Sequence, residues 1–136
     1  MLKFIKRYPL TIIVIIAIFY LSFFTPPKLT DVEVPFYDKW GHLCMYGGLA
    51  SVIWYEYLRA NRKHFITEKI ISYAFIFPVF LGGAIELGQK YLTTNREGDW
   101  LDFAANSLGV ILAWLVGYYI LRPFFITPEK PENGKK

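Results

Sequence analysis

Four long apolar runs dominate this chain, and a helix crosses the hydrocarbon of a bilayer in about 20 residues of 1.5 Å each. The runs cover about residues 8–24, 40–58, 70–92 and 101–121. The first carries no charge and closes at Thr25, Pro26 and Pro27. None alternates polar and apolar residues with a period of two, which argues against a β-barrel. A single soluble domain of 136 residues has no use for 54% hydrophobic and 19% aromatic residues, because its core is too small to hide them. The expectation is an all-α polytopic membrane protein of four transmembrane helices. Residues 1–126 form one domain and residues 127–136, TPEKPENGKK, a polar, disordered tail.

The charges lie in short clusters between the runs. With the N-terminus in the cytoplasm, the inner segments hold Lys3, Lys6, Arg7, Arg59, Arg62, Lys63, Lys69, Arg122, Lys130, Lys135 and Lys136. The outer loops then hold only Lys28, Lys39, Lys90 and Arg96. Such a bias places both termini in the cytoplasm. Lys3, Lys6 and Arg7 ahead of an apolar run also describe a signal peptide, but the run ends on bulky residues, Phe19 to Phe24, with no small-x-small site. It reads as a retained anchor. No basic face with interleaved aromatics marks a nucleic-acid groove. A single cysteine, Cys44, rules out a disulfide scaffold; its simplest reading is a small buried apolar side chain.

The polar residues inside the runs gather at one end. His42 stands near the outer end of the second run, Glu86 and Gln89 close the third, and Asp102 and Asn106 open the fourth. Asp38, His42 and Tyr46 recur every four residues, as do Asp102 and Asn106, while Glu86 and Gln89 are three apart. Each set therefore shares one helix face. The loop before the fourth run adds Arg96 and Asp99 at the same depth, with Asp99 placed to cap that helix and Asp102 three positions later. Each residue also has a plainer reading. His42 could be an interfacial histidine bonded to Asp38, Asp99 a cap, Asn106 an interhelical donor and Arg96 a headgroup contact. Glu86 resists such a reading, since an ionisable group within a span normally faces a cavity or the bundle interior.

Other features read as packing. Ala105, Gly109, Ala113 and Gly117 form a stripe of small residues down the fourth run, suited to close helix approach within the chain or to a partner. Pro78, Gly82 and Gly83 predict a bend in the third. Trp40, Trp100, Tyr91 and Tyr37 fit an outer aromatic belt, and Tyr8, Tyr57 and Tyr119 an inner one.

Three blocks in order, DKWGHLCMY (Asp38 to Tyr46), AIELGQ (with Glu86 and Gln89) and R-x-x-D-x-x-D-x-x-x-N-x-x-G (Arg96, Asp99, Asp102, Asn106, Gly109), resemble the signature of VanZ-like membrane proteins. The resemblance covers about Asp38 to Gly117. It implies a small multi-pass protein of the bacterial cytoplasmic membrane and a site at these polar positions. The family is named for a protein associated with resistance to the glycopeptide teicoplanin; the resemblance implies no particular reaction, and no resistance for this chain.

Two classes of function stay open at this stage. One is an outward-facing site for a membrane lipid, a lipid-linked envelope precursor or another cell-envelope amphiphile. In it Arg96 and Lys39 hold a phosphate, and His42, Glu86 and Asp99 are the candidate acid/base groups, with Asp38, Tyr46, Gln89, Asp102 and Asn106 around the ligand. No Ser or Cys is visibly paired with His42 as a nucleophile, and one histidine among carboxylates makes a poor metal motif, so no metal and no cofactor is assigned. The other class is a non-enzymatic bundle that scaffolds a partner through the small-residue stripe. A transporter fits least, because the inner halves of the runs hold little polarity beyond Glu56.

Overall fold

The computed structural model describes residues 2–24, 36–92 and 99–126. All regular structure among them is helical. A short helix, α1 (Leu2–Arg7), leads into α2 (Pro9–Phe24), followed by α3 (Tyr37–Ala60), α4 (Thr67–Leu92) and α5 (Trp100–Phe125). The last two are long and apolar enough to cross a membrane. At 16 residues, α2 is apolar but shorter, about 24 Å at the α-helical rise. The proposed tail, 127–136, lies outside the described residues.

α3 is the central helix. His42, Tyr46, Leu49, Ala50, Ile53, Trp54 and Tyr57 are all buried, so a broad face of this helix meets neighbours along its whole length. It buries the polar side chains of His42 and Glu56 along this packed face, while Asp38 and Arg59 near its ends stay exposed. Cys44 corrects the sequence expectation: it points off the packed face and is exposed. Tyr8 and Tyr57 are likewise core residues and not interface anchors, at 7% and 1% exposure. The Tyr57 hydroxyl donates to the Ile66 carbonyl and accepts from the Ile66 amide, pinning the turn between α3 and α4.

α3 and α5 run side by side in the same direction, His42 facing Asn106 at one end and Trp54 facing Trp114 near the other. Small residues set their separation. A side chain on Gly109 would strike the Leu43 carbonyl and crowd the Gly47 amide, and one on Gly117 would enter the Trp54 indole. The small-residue stripe is thus packed within the chain at Gly109, Ala113 and Gly117, which are buried.

Ahead of Pro78, near which the sequence predicts a bend, α4 holds a π turn over Ser72–Ile76. A second π turn, Gly117–Leu121, precedes Pro123 in α5 at the same spacing. Proline lacks an amide and its ring collides with the carbonyl four residues back. Widening the preceding turn to the i−5 pattern, with Phe77 donating to Ser72 and Arg122 to Gly117, lets both helices continue.

At the end of the bundle opposite His42, Glu56 is fully buried on α3. It accepts from the Leu10 amide (2.9 Å), the Thr11 amide (3.0 Å) and the Thr11 hydroxyl (2.7 Å). A carboxylate satisfying the first amides of α2 does the work of an N-cap from another helix, where the helix dipole also favours negative charge. Arg7 adds bonds to the Ala60 carbonyl and the Asn61 side chain. The result ties α2 to α3 by polar contacts as well as apolar ones.

Two outcomes follow. Glu56→Ala strands the Leu10 and Thr11 amides and the Thr11 hydroxyl and is expected to lower unfolding stability in detergent by about 3 kcal/mol, with Glu56→Gln losing less because it keeps one acceptor. Gly109→Ala forces the α3–α5 backbones apart and is expected to cost about 1–3 kcal/mol by the same measurement.

Candidate functional site

α3 starts, α4 ends and α5 starts at the same end of the bundle, and this brings the polar residues of all three together. Asp99 caps α5, its Oδ1 accepting from the Leu101 amide at 2.9 Å. Asp102, one turn in, does not join that cap through its side chain; it turns toward α3 instead.

The His42 ring is the hub. It is 2% exposed, and the i, i+4 pair on α5 brackets it. Nδ1 lies 3.0 Å from Asn106 Oδ1, and Nε2 lies 3.7 Å from Asp102 Oδ2. Asn106 is fully buried and donates through Nδ2 to Glu86 Oε1 at 3.3 Å, which leaves its Oδ1 as an acceptor for a proton on Nδ1. That network assigns the Nδ1–H tautomer to a neutral His42, with Nε2 facing Asp102 and, at 3.9 Å, Asp38 on the exposed rim. Gly82 makes room for the group, since a side chain there would crowd both Asn106 and the buried Tyr46 ring.

Lys39 closes the rim. Its Nζ lies 2.7 Å from Asp102 Oδ1 and 2.8 Å from Asp99 Oδ2. These two carboxylates, Asp102 first, hold the Lys39 ammonium above its ordinary pKa, and Lys39 in turn holds Asp99 below the usual carboxylate range. Lys39 is therefore already engaged, and does not present a free charge to a phosphate.

Glu86 stands apart from the other acids. It is 7% exposed, its Oε1 lies 3.5 Å from His42 Nδ1, and its Oε2 has no hydrogen-bond partner among the described residues. A buried, unpartnered carboxylate oxygen costs about 1–3 kcal/mol or more. It borders a groove of about 580 Å³ between α4 and α5. Phe75, Val79, Phe80, Trp100 and Phe103 supply apolar walls, and Glu86, Lys90 and Asp99 supply the polar end.

Not every expected residue joins this cluster. Gln89 is buried but turns to α2, donating to the Ser22 carbonyl at 2.9 Å. Three residues on a helix leave Glu86 and Gln89 about 60° apart around α4, and that offset points them at different neighbours. Tyr46 is fully buried beside Gly82, and its hydroxyl has no hydrogen-bond partner among the described residues. Arg96 lies outside the described residues. Lys90, Trp100 and Phe103 escaped notice as site residues in the sequence, although Glu86 and Lys90 are spaced four apart on one helix. As metal ligands, the residues that converge are His42, Asp38 and Asp102, with ligand atoms within 4.8 Å of one another. Lys39 already balances one of these carboxylates.

No family model, curated protein or solved structure matches the chain.

The pH dependence of the rim follows from the directions of its shifts. Asp99, depressed when folded, stabilises the fold above its ordinary value of 3.8, and this is lost as pH falls through the lower folded value. Lys39, raised when folded, contributes fully below 10.5 and loses its effect only as pH rises through its higher folded value. Lys39→Met is expected to lower the melting temperature by a constant amount between those limits, with the difference shrinking in acid below 3.8. Thermal melts of both proteins across pH check this.

Proposed function

We propose that this chain is a VanZ-like multi-pass protein of the bacterial cytoplasmic membrane. In this reading α2, α3, α4 and α5 all span the membrane, both termini are cytoplasmic, and the polar cluster opens at the outer face to bind the headgroup of a cell-envelope amphiphile. Several features support it. Arg7, Arg62 and Arg122 collect at one end of the bundle, through Arg7 on Ala60 and Asn61, Arg62 over Phe125 and Arg122 over Phe65. The acidic cluster occupies the other end, and the positive end is the cytoplasmic one by charge bias. Between them the outward faces are apolar, with Ile13, Ile16, Phe80, Leu108 and Ile120 among the exposed side chains. Such a belt is suited to lipid and not to water.

The observation that carries the functional reading is Glu86, a buried carboxylate beside the groove with one oxygen bonded to Asn106 and the other without a hydrogen-bond partner among the described residues. A ligand hydroxyl or amine satisfies that oxygen. His42, held by Asn106 on one nitrogen, keeps Nε2 toward the rim, where it can exchange a proton with a bound group. Its described neighbours are carboxylates and an amide, with no hydroxyl or thiol nucleophile among them. Binding is thus better supported than covalent catalysis. The other reading, a scaffold that holds a partner through Ala105, Gly109, Ala113 and Gly117, has less to stand on, because three of these four are buried inside the chain.

His42→Ala, Glu86→Gln and Asp102→Asn separate the two readings when membrane accumulation and an envelope phenotype, such as glycopeptide sensitivity, are measured together. The expected result is normal accumulation with loss of the phenotype. Failure of all three to accumulate makes the cluster structural and overturns the site. A reporter fused after Lys136 is expected to behave as cytoplasmic; extracytoplasmic behaviour reverses the topology.

A further inference from the structure

Asp38 and His42 stand four residues apart on α3, and Asp102 lies in the first turn of α5; the packing of these two helices brings all three to one point of the rim. One ligand atom from each lies within 4.8 Å of the others, with His42 Nε2 at 3.7 Å from Asp102 Oδ2 and 3.9 Å from Asp38 Oδ1. His42 is 2% exposed and Asp102 5%. Asn106 Oδ1 accepts the proton on Nδ1, so Nε2 of the neutral ring carries a lone pair. No hydrogen bond among the described residues reaches that nitrogen. Both carboxylate oxygens stand beyond hydrogen-bond length and bring lone pairs of their own. A proton on Nε2 points along one bond direction and draws one carboxylate to about 2.8 Å. Near-equal spacing of two oxygens outside that length fits instead a centre shared by all three atoms. We infer that Asp38, His42 and Asp102 bind a divalent metal ion of the zinc type, through Nε2 and one oxygen of each carboxylate.

Ligand bonds of about 2.1 Å put neighbouring ligand atoms of a tetrahedral ion about 3.4 Å apart, and the two His42 edges are about 0.3–0.5 Å longer than that. Lys39 holds Asp102 in place, whereas the exposed Asp38 side chain has room to turn inward, so closing the set moves the rim and leaves the helices where they are. The surroundings suit a metal-ligating histidine. Its other nitrogen is oriented by an amide carbonyl, and Lys39 takes Oδ1 of Asp102 while Oδ2 stays toward the ion. Lys39 offsets part of the carboxylate charge and so lowers the affinity, but it occupies none of the three ligand atoms. One imidazole in the set selects zinc over calcium and magnesium, which prefer shells made of oxygen alone. Three protein ligands leave a fourth position for water or an anionic oxygen. The site is separate from the groove between α4 and α5 and does not depend on an amphiphile there.

The test uses the full chain, purified without a polyhistidine tag, stripped with a chelator and titrated with zinc chloride by isothermal titration calorimetry in detergent. One ion per chain is expected, with a melting temperature that rises with zinc concentration. Asp38→Asn, at an exposed position, is expected to weaken zinc binding at least about tenfold while the melting temperature of the stripped protein holds. His64→Ala and Cys44→Ser, at exposed positions outside the set, are expected to leave binding unchanged. Cobalt in place of zinc is expected to give the visible bands of a four-coordinate site, and Asp38→Asn to alter them, a signature that a folding defect does not reproduce. No zinc uptake overturns the site, and a His42 ring found doubly protonated by ¹⁵N spectroscopy in that case gives its place to a proton. Uptake that ignores Asp38→Asn, or that His64→Ala or Cys44→Ser abolishes, overturns it as well. Displacement of zinc by an equal concentration of calcium or magnesium overturns the choice of ion.

Discussion

The rest of the structure depends on one backbone contact, where α5 meets α3 at Gly109 and Gly47 with no side chain between them. Contact this close fixes the two helices in register. With the register fixed, Asn106 and Asp102 land on either side of the His42 ring, and Trp54 receives Gly117 at the far end. On the proposed membrane setting, apolar side chains do not drive these helices together, since lipid tails are equally apolar; close packing and interhelical hydrogen bonds do. The small-residue stripe and the polar cluster are therefore two parts of one association. Neither would hold the pair at this separation alone.

The prolines show how α4 and α5 stay long despite residues that break helices. Pro78 and Pro123 each stand two residues after a π turn. The widened turn moves the carbonyl that each ring would strike. In α4 this leaves the segment beyond Pro78 straight enough in register to carry Glu86 toward His42 on one side while Gln89 reaches Ser22 on the other.

Much of this was legible in the sequence, for physical reasons that differ by residue. Apolar runs far longer than a small core can hide show helices directly, and the i, i+4 spacing of Asp102 and Asn106 shows a shared face. What spacing cannot show is which neighbour a face meets. Gln89 was grouped with Glu86 and instead ties down α2, because α4 packs on α2 as well as on α3 and α5. Lys39 was read as a phosphate ligand, but its two carboxylates come from a different helix and its cap. Cys44 and Tyr57 exchanged their expected places, exposed and buried, since α3 has one unpacked strip and its position depends on the tertiary arrangement. The groove was invisible, because an empty space between two helices leaves no mark on the residues of either one.

The two buried glutamates make the sharpest contrast in the molecule. Glu56 and Glu86 both sit within apolar helices, and by sequence alone both are anomalies of the same kind. Glu56 accepts three hydrogen bonds from the start of α2, one oxygen taking one and the other two. Such a carboxylate is complete, and its role is to hold one helix against another. Glu86 receives one long bond from Asn106, shares a 3.5 Å approach with His42, and buries a second oxygen that has no hydrogen-bond partner among the described residues. A fold that needed only a tether at that end already has Gln89 on Ser22 and Lys39 on Asp99 and Asp102. Among the described residues Glu86 is thus the less completely bonded of the two, and on the proposed function it is the one a ligand donor completes.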